Sequence, residues 1–85
     1  MNWPKYKSHK VVRATKIKSI SKSDKAGMRI VTPEDPGIRP FKLTAVFCAK
    51  HQPQEGGYIV SYSDDYMSWS PAEAFENGYT RIDEG

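Results

Sequence analysis

One cysteine, two histidines and no apolar run long enough to cross a bilayer exclude several classes of protein at once. Cys48 alone forbids an internal disulfide, and with only His9 and His51 beside it the chain has too few soft ligands for a structural zinc site. Such cysteine usage suits a reducing compartment. The opening MNWPKYKSHK has no apolar stretch of the kind a secretory leader needs, and nowhere do roughly 18 apolar residues run together, so neither export nor a membrane partner is expected. A catalytic set is missing too. Cys48 and His51 lie three residues apart, but no third group is placed to orient the imidazole. The adjacent Asp64 and Asp65 read as turn formers, and Ser61, Ser63, Ser68 and Ser70 have no neighbouring histidine. EGGY lacks both the Lys-Ser/Thr ending and the following helix of a phosphate loop. The expectation is a non-enzymatic binder without cofactor or metal.

What the chain does contain is aromatic surface and a divided charge. Its 85 residues fit one domain spanning 1–85, which buries only about 60% of the surface its unfolded chain exposes. Ten aromatic residues and a hydrophobic fraction of 38% are too rich for disorder, and a thin core has difficulty covering so many rings. Some are therefore expected in a pocket or a subunit interface. Met1 to Arg29 carries nine Lys or Arg against Asp24 alone, whereas Ile30 to Gly85 carries four basic and nine acidic residues. Lys5, Lys7, Lys10 and Arg13, interleaved with Trp3 and Tyr6, have the chemistry of an anion site: ammonium groups attract phosphate and rings stack on bases. The acidic second half would repel an extended duplex, so a compact nucleotide suits this site better than polymeric nucleic acid.

Local signals order the chain into short elements. Residues 1–9, with Pro4 and alternating lysines, read as a loose basic arm. HKVVRATKIKSI favours a strand through its β-branched residues, with an alternation that slips between Val12 and Ile17 and suggests a bend or bulge. SKSDKAG is a polar turn. MRIVTP is a strand stopped at Pro33, and FKLTA is another after the breaker-rich EDPGIRP. Thr44 is a fitting cap for a helix over AVFCAKH, with Lys50 and His51 in its last turn and Pro53 beyond it.

YIVSY and YMSWS read as a hairpin. A two-residue turn at Asp64 and Asp65 would oppose Tyr62 to Met67 and Val60 to Trp69, collecting Tyr58, Val60, Tyr62, Met67 and Trp69 on one buried face. SPAEAFENG follows with Ser70 as the N-cap, Pro71 at the first helical position, Glu73 closing a capping box and Gly78 as a left-handed stop. Ala74 and Phe75 would face inward, and YTRI would form a last strand.

YKSHKVVRATKI and GGYIVSYSDDYMSWSPAEAFENGYTRI resemble a family of short proteins encoded by tailed bacteriophages, over most of the chain. In that family the hairpin tip is commonly Asp-Gly, where this chain has Asp65. The resemblance implies phage origin rather than an activity. More remotely, a GGYIV strand followed by a Ser-Pro-capped helix is similar to the ending of phage proteins that sequester nucleotide signals of bacterial immunity, a likeness of fold alone.

The fold expected is α+β: a small, twisted, mainly antiparallel sheet or partly open barrel of about five strands with one or two short helices. The leading functional expectation is a phage accessory protein in the host bacterial cytoplasm that sequesters a small nucleotide. Lys5, Lys7, Lys10 and Arg13 would hold phosphate, with Trp69 and Tyr66 or Tyr79 stacking. A module that inhibits or redirects a host bacterial protein, and a minor virion component, are the alternatives. Homo-oligomerisation stays open with each.

Overall fold

The computed structural model describes residues 3–8 and 11–82. Seven strands and two short helices follow one another as β1 (Lys5–Lys7), β2 (Val11–Ile20), β3 (Arg29–Pro33), β4 (Phe41–Leu43), α1 (Ala45–His51), β5 (Tyr58–Ser61), β6 (Met67–Ser70), α2 (Ala72–Gly78) and β7 (Thr80–Ile82). The architecture is the expected α+β class with more strands than expected, and the antiparallel sheet is open rather than closed into a barrel.

β2 organises the sheet. β1 pairs with its first half, where Lys5 opposes Arg13, and β3 pairs with its second half, where Ile20 opposes Val31. The Ala14 amide donates to Pro4 O and the Lys16 carbonyl accepts from the Glu34 amide, so both partners share one edge of β2. β5 takes the other edge, with Thr15 opposite Ile59, and β6 continues outward. β4 flanks β3, and β7 flanks β1. Residues 5–7 are thus a strand, not part of a loose arm, and Trp3 before them is buried.

Each face of the sheet carries a core cluster. One carries Trp3, Ile17, Val31, Leu43 and Ile59, with Phe47 and Cys48 of α1 and Met67 and Trp69 of β6 packed against them. The other carries Val12, Ala14, Tyr58, Val60 and Phe75, flanked by Tyr6, Tyr62 and Tyr79. This two-sided burial explains the slipped alternation of β2: Val12 and Ala14 serve one core and Ile17 the other. A bulge does exist, but farther on, where the register shifts between Ile17 and Ser19.

The hairpin corrects its sequence-based register by one residue. Ile59 opposes Trp69 and Val60 opposes Ser68, because the loop holds three residues, Ser63 to Asp65, rather than two. The Tyr62 amide donates to Tyr66 O (2.9 Å), the Asp65 amide donates to Tyr62 O (3.0 Å), and Asp65 takes the left-handed φ of 65° that ends three-residue hairpin loops. A one-residue shift turns all of β6 over, so Trp69 and Met67 lie on the opposite face from Tyr62. Asp65→Gly relieves the left-handed strain and is expected to stabilise the fold by about 0.5–1 kcal/mol. An unchanged or lower urea midpoint would contradict this account of the loop.

The two helices differ in how well their caps were anticipated. Thr44 Oγ1 accepts the Phe47 amide at 3.1 Å, as expected for α1. In α2 the cap is Pro71, no side chain closes it, and Ser70 Oγ turns instead to Pro71 O (3.3 Å). Gly78 ends the helix without a left-handed φ, and Ala74 is exposed, which leaves Phe75 as the buried residue of α2.

Glu76 ties α2 to the sheet. The Tyr58 hydroxyl donates to its Oε2 at 2.7 Å and the Lys16 ammonium lies 3.3 Å away. The Tyr58 bond, then Lys16, hold the Glu76 carboxyl below its usual value of 4.5, while burial, followed by this bond, pushes the Tyr58 phenol upward. A depressed carboxyl contributes stability above its unfolded value and loses it as pH falls through the folded one. Stability should therefore decline below about pH 4.5, and Glu76→Gln should flatten that acid limb in thermal melts. An identical pH profile for the variant would remove the bond from the account.

Candidate functional site

The β5–β6 tip and the start of β2 form the exposed region where the expected site residues converge. Tyr66 and Val11 are each nearly half exposed, at 46% and 45%. Tyr62 stands beside Tyr66 with ring centroids 6.1 Å apart. Backbone chemistry fixes the tip: Asp64 Oδ1 accepts the Tyr66 amide at 3.0 Å, which spends one carboxylate on the turn. Lys50, at the end of α1, donates to the Tyr66 hydroxyl at 3.2 Å and sits 5.4 Å from its ring centroid.

Two cavities flank this ridge. One of about 440 Å³ is lined by Val11, Val12, Tyr62, Ser63, Asp64 and Tyr66. The other, about 280 Å³, adds Lys5, Arg13 and Asp65 to the shared Val11, Val12 and Tyr62. The floor is apolar, the walls are tyrosines, and the rim mixes both signs of charge.

The structure separates the expected residues into groups. Lys5 and Arg13 face each other across β1 and β2 and adjoin the tip, and Tyr66 stands on its far wall. Arg13 also donates through Nη1 to Trp3 O at 2.8 Å, so part of its guanidinium serves the fold. Lys7 is exposed at the end of β1, opposite Val11 and Thr80. Lys10 lies outside the described residues. Trp69 packs in the opposite core against Gly57, and Tyr79 stacks on Phe75 with centroids 4.7 Å apart. Neither ring shares a pocket with the cations.

Sequence reasoning missed Val11, Tyr62 and Lys50. Tyr62 is expected on the buried hairpin face and Val11 simply within a strand; the adjacent pair Val11–Val12 is the available signal, since neighbours in a strand face opposite ways. His51, set against Cys48 in the sequence, instead packs on Phe47 (4.5 Å) and toward Tyr66 (6.5 Å). Burial, then the Lys50 charge, lower its pKa. Cys48 Sγ is directed to Leu43 O at 4.0 Å and lines an open cavity of about 810 Å³ beside Arg29 and Pro53.

No protein-family model matches the chain, and no curated protein does. Among solved structures, the monomeric form of the phage L decoration protein, determined in solution, superposes with a TM-score of 0.70 and 28% sequence identity. This is a bacteriophage fold. The match covers 93% of this chain and 59% of the decoration protein, so the chain spans about three fifths of that neighbour's length.

Proposed function

We propose that this chain is a head-decoration protein of a bacteriophage, a minor virion component that docks on the assembled capsid within the infected bacterium. It acts by stoichiometric binding, with no chemical step. The observation that carries this reading is the shared fold with the phage L decoration protein over 93% of the chain. The surface supports it: large apolar side chains stand exposed among charged ones, as they do on protein-docking surfaces.

Nucleotide sequestration has less support. The cations expected to grip phosphate adjoin Asp65, and the Trp69 ring expected to stack lies on the far side of the sheet. A compact nucleotide would therefore meet its two anchors on different faces.

The test is direct. Quantitative mass spectrometry of purified particles should find the chain in fixed copy number per head, and purified chain should cosediment with heads from a phage lacking its gene. A chain absent from particles and unable to bind such heads is not a decoration protein.

A further inference from the structure

Strands β2 to β4 leave one sheet face uncovered. Val31, Leu43 and Phe41 point to the core beneath α1, so the alternate positions Thr32, Ile30 and Lys42 point outward. Farther along that side α2 covers the sheet, and its cover ends at Lys16, whose ammonium lies 3.3 Å from Glu76 and 3.9 Å from Glu34. Past Lys16 the outward residues Ser19, Ile30 and Lys42 are exposed. Ile30 is 43% exposed there, with Lys42 directly opposite it on β4 and the Ser21 hydroxyl accepting its amide at 2.7 Å. Ser19, opposite Thr32, and Lys18 before it at the register shift are exposed farther along β2.

Two features distinguish this face from the hairpin tip. Its own exposed charges among the described residues are Lys18 and Lys42, with no acidic residue in β2, β3 or β4; Lys16 at its border is held by Glu34 and Glu76. Asp24, in the adjoining turn, has its Oδ1 engaged by the amides of Ala26 (2.8 Å) and Met28 (2.9 Å). The tip, by contrast, sets Asp64 and Asp65 beside Lys5 and Arg13 and so favours no partner charge. Second, the apolar residue is central. Lysines on an edge strand discourage stray strand pairing, which accounts for Lys42 on β4. Ile30 is on β3, between β2 and β4, where edge protection gives no reason for an exposed isoleucine.

The geometry points to this face, Ile30 with Lys42 opposite it and Lys18 farther along β2, as the surface that docks on an acidic patch of the capsid protein. The inference rests on the decoration reading and names its contact. The isoleucine is desolvated at the centre, and the lysines steer approach and set salt sensitivity. Nucleic acid fits less well, because the face presents no exposed aromatic ring for stacking.

The experiment is a binding titration of the purified chain on heads from a phage lacking its gene, read by cosedimentation at low and high NaCl. Ile30→Thr keeps a β-branched side chain and is expected to weaken binding about tenfold with little change in Tm. The double variant Lys18→Glu, Lys42→Glu should weaken it by about tenfold or more and flatten its salt dependence, whereas Tyr66→Ala stays near wild type. Wild-type affinity in both face variants overturns the assignment and leaves decoration standing, as does selective loss in Tyr66→Ala, which moves the contact to the tip. If the face variants lose a DNA duplex that the wild type holds but keep the heads, the surface belongs to nucleic acid. No binding by the wild type defeats the decoration reading and this inference together.

Discussion

Phe75→Ala is expected to destabilise the chain by about 3–5 kcal/mol, enough to unfold much of the population of a domain whose total stability is of that order. Phe75 is 2% exposed and is the buried residue through which α2 holds the sheet. Its ring stacks on Tyr58 at 4.3 Å and on Tyr79 at 4.7 Å, and meets Tyr6 edge-on at 4.8 Å. Truncation therefore leaves three tyrosines around a void and releases the helix that carries Glu76 to Tyr58. Phe75→Leu, which keeps most of the volume, should cost about 1–2 kcal/mol. Urea unfolding followed by tyrosine fluorescence measures both. Equal losses for the two variants would mean that the cavity does not set the cost, and a loss below about 1 kcal/mol for alanine would mean that the second core is not assembled as described.

Gly57→Ala is the second large effect, and its cause is contact rather than backbone freedom. A Cβ at this position would overlap the Trp69 indole at Nε1, Cε2 and Cζ2. Neither partner has easy room to yield. Gly57 is buried with its carbonyl accepting the Ile17 amide at 2.8 Å, and Trp69 is wedged in the core with Ile59, its indole N–H without an acceptor among the described residues. Overpacking of this kind costs about 1–3 kcal/mol, which in a domain of this size lowers Tm by roughly 4–8 °C for each kcal/mol. The contact also predicts coupling: in a Trp69→Leu background the added methyl should cost much less, because the ring it strikes is gone. Additive losses in the double variant would sink the explanation. The same cycle tests the hairpin register, since Trp69 meets Gly57 only when Ile59, not Val60, stands opposite it.

That one cysteine permits no internal disulfide, and that rings are in surplus, was legible from residue types alone. Two motifs gave the expectation of a phage protein, and the fold is one shared with a phage decoration protein. The site was read less well. Lys5 and Arg13 line one cavity at the tip and Tyr66 the neighbouring one, but Trp69 and Tyr79 were drawn into opposite cores. Whether a ring stacks on a ligand or fills a core depends on what lies across from it, and that partner sits tens of residues away in the chain.

What the sequence determined by itself was local: the Thr44 cap and the turn chemistry of Asp24 and Asp64, each settled by groups within about four residues through short hydrogen bonds. Tertiary structure decided the strand status of residues 5–7, the face of Trp69 and the exposure of Ile30. A three-residue strand has no stability of its own and exists only because β2 and β7 supply its hydrogen bonds. The face of Trp69 turned on one extra loop residue, Asp65 at φ 65°, which a two-residue turn and a three-residue turn accommodate with nearly the same composition. Burial is a property of pairs of distant segments, so a linear pattern could mark Ile30 as apolar but not as uncovered.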